Sequence, residues 1–258
     1  MKSILKVVIL TALLLVLASA AYADSIILNS AAGSSTSDAN GALQYLGTSA
    51  LNADFLANSP ALPNNVTLVA PASPSTSSAS PNTSYSIAAG GWATAITGTS
   101  WVSNSSAAGT SCSGSGCDPN DFYYYETTFT AVGGDDPYYG SISVMADDTA
   151  EVLLNGTVIV PFAIVGKDSH CATGSSVNGS DPLPSCGTPP DTVRLSDITL
   201  LAGTNTLTII DAQTDLNGAG VDFTAELTQA PEPSSLLLLG TGLLGLAGIL
   251  RRKFRQTR

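Results

Sequence analysis

Two acid pairs, Asp135 with Asp136 and Asp147 with Asp148, are the side chains whose type and spacing first suggest chemistry. Two carboxyls can cleave a glycosidic bond when they face each other across a cleft at a set separation. Neighbours on a strand point to opposite faces, so neither pair meets that requirement. A hard cation is the better match, because Ca²⁺ collects carboxylate and carbonyl oxygens from loops, and Asp147 and Asp148 are the candidate calcium ligands. The competing reading has one of them accepting backbone hydrogen bonds beside a turn while the other is solvated. No D-x-D-x-D-G loop is present. There is one histidine, His170, and no G-x-S-x-G sequence, so serine or thiol catalysis is not expected and the chain reads as a non-enzyme. Apart from calcium, no cofactor is expected. Aromatic rings offer a different chemistry, stacking on sugars. Trp92, Tyr123 and Tyr125 read as core. Tyr138 and Tyr139 follow Asp135-Asp136-Pro137 in an expected loop and are the candidate glycan contacts.

The elements that must position these residues are strands. Tyr123, Tyr125, Thr127 and Phe129 alternate with Phe122, Tyr124, Glu126 and Thr128. Ile142, Val144 and Ala146 alternate with Ser141, Ser143 and Met145, and Val221, Phe223, Ala225 and Leu227 alternate with Asp222, Thr224, Glu226 and Thr228. Period two means one buried and one wet face, as in an antiparallel sheet. Further strands are expected at Ser25 to Leu28, Val66 to Val69, Trp92 to Ile96 and Trp101 to Val102. Asn155-Gly156, between Ala150 to Leu154 and Thr157 to Val160, suits a type I′ hairpin, and Thr206 to Ala212 follows a Gly-Thr-Asn turn. Asn40 to Phe55 reads as a short helix or irregular loop. Residues 71–84, PASPSTSSASPNTS, hold almost nothing that forms a core and read as a flexible loop or linker. The fold class is therefore all-β, an antiparallel β-sandwich over 91–229, with strands from 24–70 added to it. Residues 24–90 are poorly patterned.

Both ends of the chain are addressed to a membrane. Lys2 and Lys6, an apolar core from Val7 to Leu17 and Ala21-Tyr22-Ala23 make residues 1–23 a signal peptide, to be cut by signal peptidase after Ala23. At the other end Pro231-Glu232-Pro233 leads into an uncharged run from Ser234 to Leu250, followed by Arg251, Arg252, Lys253, Arg255 and Arg258. As a helix the run is roughly 25 Å long, just enough to span a bilayer. The basic cluster beyond it holds the C-terminus on the cytoplasmic side and places everything before Pro231 outside.

The segment between, Asp24 to Ala230, keeps 19 of the 20 acidic residues and, of the 9 basic ones, Lys167 and Arg194, a net charge of −17. Nucleic acid and anionic lipid are poor partners for such a surface. All four cysteines, Cys112, Cys117, Cys171 and Cys186, lie in it. An even count in an exported segment reads as two disulfides, with three pairings open. The local pairing is preferred, Cys112 with Cys117 and Cys171 with Cys186. The second closes a loop worth ~3 kcal/mol in the chain-entropy account. Neither spacing fits a zinc knuckle.

The tail, in its order of Pro-Glu-Pro, apolar helix and Arg-rich end, resembles the PEP-CTERM sorting signals of Gram-negative bacteria. The resemblance covers 231–258, with the transmembrane helix at 234–250. It implies a membrane-embedded exosortase as partner, transient residence in the inner membrane, cleavage near the motif, and delivery to the cell envelope or extracellular matrix, often beside exopolysaccharide. A second resemblance lies in ADDTAEVLLNG, Ala146 to Gly156, and LLAGTNTLTIIDAQ, Leu200 to Gln213, which look like galactose-binding-like jelly-roll domains. It implies the fold of Trp92 to Thr228 and no particular ligand. Together they suggest a structural or adhesive protein linked to exopolysaccharide, with a carbohydrate-binding module as the alternative and a polysaccharide hydrolase behind both.

Overall fold

The computed structural model describes residues 24–33, 41–51, 67–77, 83–88, 92–106, 108, 120–133, 137–162, 190–213, 218–229, 240–242 and 245. The signal segment 1–23, the four cysteines and Pro231, Glu232 and Pro233 lie outside these residues. So does most of 234–250, of which Gly240, Thr241, Gly242 and Gly245 are described and helical. Among the described residues no helix is long and apolar enough to cross a membrane.

The strands are β1 (Ser25–Asn29), β2 (Ala31–Ala32), β3 (Ala42–Ala50), β4 (Thr76–Ser77), β5 (Tyr85–Ile87), β6 (Trp101–Ser103), β7 (Asp121–Ala131), β8 (Tyr138–Asp147), β9 (Thr149–Leu154), β10 (Thr157–Val160), β11 (Asp191–Ile198), β12 (Gly203–Ala212) and β13 (Gly220–Gln229). They form two sheets. The first runs β11-β8-β13-β6-β5, with β1 also on β13, and the second runs β10-β9-β12-β7-β3-β2, with β4 on β3. From β7 to β13 the chain passes from one sheet to the other at β7 to β8, β8 to β9, β10 to β11, β11 to β12 and β12 to β13. Such repeated crossing between two antiparallel sheets is the wiring of a jelly-roll sandwich. The β2–β3 pair is parallel.

Alternation decides what lies between the sheets. Ile142, Val144 and Ala146 from β8 and Val221, Phe223, Ala225 and Leu227 from β13 meet Tyr123, Tyr125 and Phe129 from β7 and Leu207 and Ile209 from β12. Each large side chain so buried contributes about 1.5–3 kcal/mol. Leu28 from β1 and Leu43 from β3 join the same core.

Several expectations are corrected. Ala42–Ala50 is a strand, not a helix or loop; Tyr45 packs beside Tyr123 and Tyr125, with ring centroids 6.4 and 5.7 Å away. The described part of Val66 to Val69 is not a strand, and neither is Trp92 to Ile96. The outer side of β7 is dry where wetness was expected: Phe122 and Tyr124 lie in a second cluster with Leu51, Leu68 and Ile210. The Pro/Ser-rich stretch is bonded to the sheet in its described parts. Pro71 O accepts the Tyr124 hydroxyl (2.8 Å), Ser75 N–H donates to Ser49 Oγ (2.7 Å), and buried Ser84 donates to Leu43 O (2.6 Å). Hydroxyls fix a segment that has no large apolar side chain to bury.

The two motifs of the jelly-roll resemblance meet in space. Asn155 and Gly156 both take positive φ, 49° and 79°, as a type I′ turn requires. The Asn155 side chain then donates to Asn205 Oδ1 (2.9 Å) and accepts Thr206 N–H (2.9 Å). Fully buried Asn205 closes the preceding turn by donating to Leu201 O and Gly203 O and accepting Leu201 N–H. Asn205→Ala strips partners from Leu201 N–H and the Leu201 and Gly203 carbonyls in one turn and from the Asn155 amide in the other, and should cost about 1–2 kcal/mol. Urea unfolding followed by fluorescence measures it, and an unchanged midpoint would show that the clamp is dispensable.

Candidate functional site

Of the residues singled out for chemistry, Tyr138 and Tyr139 are adjacent on β8 and therefore face opposite ways. Tyr138 points between the sheets, is 0% exposed, and donates its hydroxyl to Asp24 Oδ2 (2.8 Å). It cannot present its ring to a sugar, which corrects the expectation for that residue. Burial chiefly, with the neighbouring Asp24, pushes its hydroxyl pKa up. Tyr139 is 41% exposed on the outer face and donates to Asp197 Oδ1 (2.9 Å). That bond, more than burial, raises its pKa.

Asp147 ends β8 and Asp148 forms the turn to β9, and the peptide between them is cis. Both carboxylates are 1% exposed, so the solvated role foreseen for one of them is excluded. Asp148 N–H donates to Ala212 O (3.0 Å), which ties the turn to β12. Asp147 Oδ2 accepts the indole N–H of Trp92 (2.6 Å). Ca²⁺ takes six to eight oxygens. Among the described residues no group of three or more His, Cys, Asp or Glu comes together to hold a metal ion. A calcium ion at Asp147 and Asp148 would need carbonyl, amide or water oxygens to complete its shell.

The bond from Trp92 belongs to a strap, residues 92–100, laid over the outer face of the first sheet. Trp92 lies tilted by 39° against Trp101 with centroids 4.7 Å apart, and Trp101 donates its indole N–H to Ala93 O (2.9 Å). A Cβ on Gly220 would come within 2.7 Å of the Trp92 ring, so only glycine lets the strap lie so low there. Asp222, fully buried beneath it, accepts Ile96 N–H (2.7 Å) on one oxygen and lies 2.7 Å from Ser30 Oγ on the other. The sequence set Asp222 on the wet face of its strand, read Trp92 as core and offered Asp147 as a calcium ligand. That two outward-facing acids, Asp147 and Asp222, serve as anchors for a strap 50 to 130 residues earlier in the chain is a long-range fact without a local signal.

Beyond the strap the same face is open and polar. Register across β11, β8, β13 and β1 sets Thr192, Ser143, Thr224 and Asn29 in one row. Arg194, Ser141, Glu226 and Ile27 form the next, with Tyr139, Thr228 and Ser25 beyond. Ser143 Oγ lies 2.8 Å from Thr192 Oγ1, and Thr224 donates to Asn29 Oδ1 (2.7 Å). Hydroxyls, an amide, one tyrosine and an Arg with a Glu one strand beyond its neighbour make a shallow hydrogen-bonding platform. Of its residues only Tyr139 was foreseen.

Four other carboxyls, Asp121, Glu126, Glu151 and Asp191, have pKa values raised by burial. A raised carboxyl holds its proton more tightly folded than unfolded, so it favours the fold at acid pH and loses that contribution as pH rises through the raised value. Their register partners are Ala50, Gln44 and Thr208, Ile210, and Val144 respectively, so none of the four lies opposite another.

Residues 229–253 match a family described as the PEP-CTERM protein-sorting motif, which establishes the resemblance of the tail. No characterised protein matches the chain by sequence. Among solved structures, a beta-glucosidase from Kluyveromyces marxianus overlaps 52% of this chain and 14% of its own at 15% identity and a TM-score of 0.27. The chain thus spans a small fraction of that enzyme's length. A family 35 carbohydrate-binding module from Clostridium thermocellum overlaps 45% of this chain and 83% of its own at 14% identity and a TM-score of 0.23. One from an environmental isolate overlaps 48% and 93% at 18% identity and a TM-score of 0.25. Overlaps this shallow carry no argument about a ligand.

Asp222→Ala leaves Ile96 N–H and the Ser30 hydroxyl facing an empty buried site, and about 2–4 kcal/mol of stability should go with it. The strap should loosen at the same time, seen as a red shift of Trp92 and Trp101 emission in the folded state. If the midpoint and the emission both hold, the strap does not depend on this anchor.

Proposed function

We propose that this chain is an exported, non-enzymatic β-sandwich protein that an exosortase sorts through its tail, and that its work at the envelope or in the matrix is structural or adhesive, on exopolysaccharide. The observation that carries the reading is the PEP-CTERM motif at 229–253, which begins at the last residue of β13 and so is fused to the sandwich without a linker domain. In this reading residues 1–23 are removed at export, the run 234–250 holds the protein in the inner membrane, and cleavage near Pro231 releases it. Replacing Pro231, Glu232 and Pro233 by alanine should leave full-length protein in the inner membrane, scored by intact mass and fractionation. Unchanged processing would make the tail an ordinary anchor.

The carbohydrate-binding alternative has the outer platform of the first sheet in its favour. Its Ser, Thr and Asn groups and Tyr139 supply donors and acceptors for the hydroxyls of a neutral glycan, and the acidic net charge disfavours polyanions. Shallow sites of this kind gain affinity by repetition along a polymer. In affinity electrophoresis through neutral polysaccharide, Tyr139→Ala with Glu226→Ala should abolish retardation of the released domain. Equal retardation of the variant would move any glycan site elsewhere.

A further inference from the structure

Both membrane-directed segments leave the sandwich at one end. β1 and β13 are antiparallel neighbours paired from Ser25 with Thr228 to Asn29 with Thr224, and Gln229 N–H donates to Asp24 O (2.8 Å). Asp24, the expected first residue after signal cleavage, is therefore beside the residue where the sorting motif begins. The same corner is locked by Asp24 Oδ2, which accepts Tyr138 OH and Val132 N–H, and by the Gln229 side chain, which donates to Gly133 O (3.1 Å). Gly133 packs directly on the backbone of Ala202. Val132, the first residue after β7, and Leu201, between β11 and β12, thus stand at this end, and both side chains are exposed, at 71% and 57%. The acids and the strap around Asp147, Gly220 and Asp222 lie at the other end of β13, nine residues or about 30 Å away.

We propose that this end of the sandwich docks on the outer surface of the bilayer that holds the tail, with Val132 and Leu201 seated among zwitterionic headgroups and the Asp147 end held away from it. The inference rests on the tail spanning the membrane from Ser234. Length supports it: Ala230 to Pro233 reach at most about 14 Å when fully extended, and the headgroup layer itself is roughly 5–7 Å deep. A sandwich so tethered stays within about 10 Å of the surface, and the end it must turn towards the lipid is the one with the two exposed apolar side chains. The net charge of −17 argues for zwitterionic and against anionic lipid.

The chain's two tryptophans, Trp92 and Trp101, both sit at the far end and act as an internal control. Full-length protein is reconstituted in phosphatidylcholine vesicles, floated, and compared in vesicles of brominated phosphatidylcholine. The native emission should be unquenched. Val132→Trp and Leu201→Trp, both at exposed positions, should each add emission that is lost in the brominated lipid. Absence of that loss at either site, or equal quenching of the native pair, overturns the docking. Failure to float is a different result, because it removes the membrane-spanning tail and the docking with it.

Discussion

Strand β13 is the constraint on which the first sheet depends. One of its edges pairs with β8 along its full length, from Gly220 with Asp147 to Gln229 with Tyr138. The other is shared, β1 taking Thr224 to Thr228 and β6 meeting Val221. Where those partners change over, Ser30 fills the break. Its N–H donates to Phe223 O, its carbonyl accepts Ser100 N–H, and its hydroxyl accepts Phe223 N–H while lying 2.7 Å from Asp222. Two stretches of chain about seventy residues apart are joined to the central strand by one buried serine and one buried aspartate. Burying a carboxylate without a cation is costly unless its oxygens are satisfied, and the strap supplies that satisfaction with a backbone N–H from Ile96.

Much of the sandwich was legible because alternation is a local property. Val221, Phe223, Ala225 and Leu227 announce a half-buried strand whatever else the chain does, and Asn155-Gly156 announces its hairpin through positive φ. Ala42–Ala50 was illegible for the opposite reason: Leu43 and Tyr45 alternate inward but a register shift between Tyr45 and Gly47 breaks the period, and it becomes a strand because β7 offers an edge from Asp121 to Glu126. Phe122 and Tyr124 look like the wet face of β7 until Leu51 and Leu68 return to cover them.

The candidate residues divide in the same way. Tyr139 was readable as an exposed aromatic beside a turn, whereas the inward direction of Tyr138 depends on a strand that begins three residues before the alternation from Ser141 that announces it. The hydroxyl rows of the platform are assembled from four strands, so no single stretch of sequence contains them. Asp147 was singled out as a calcium ligand, and one partner that the fold gives it is the indole of Trp92, which no local pattern announces.

The way the tail leaves the fold also sets how the sandwich carries load. A pull on the membrane segment acts along β13, whose neighbours β8 and β1 run antiparallel to it. If the opposing grip is on β8, β11 or β1, the ladder is loaded in shear, and its hydrogen bonds resist together instead of being unzipped one at a time. Any tension applied through the tail is borne by the best-supported strand of the first sheet.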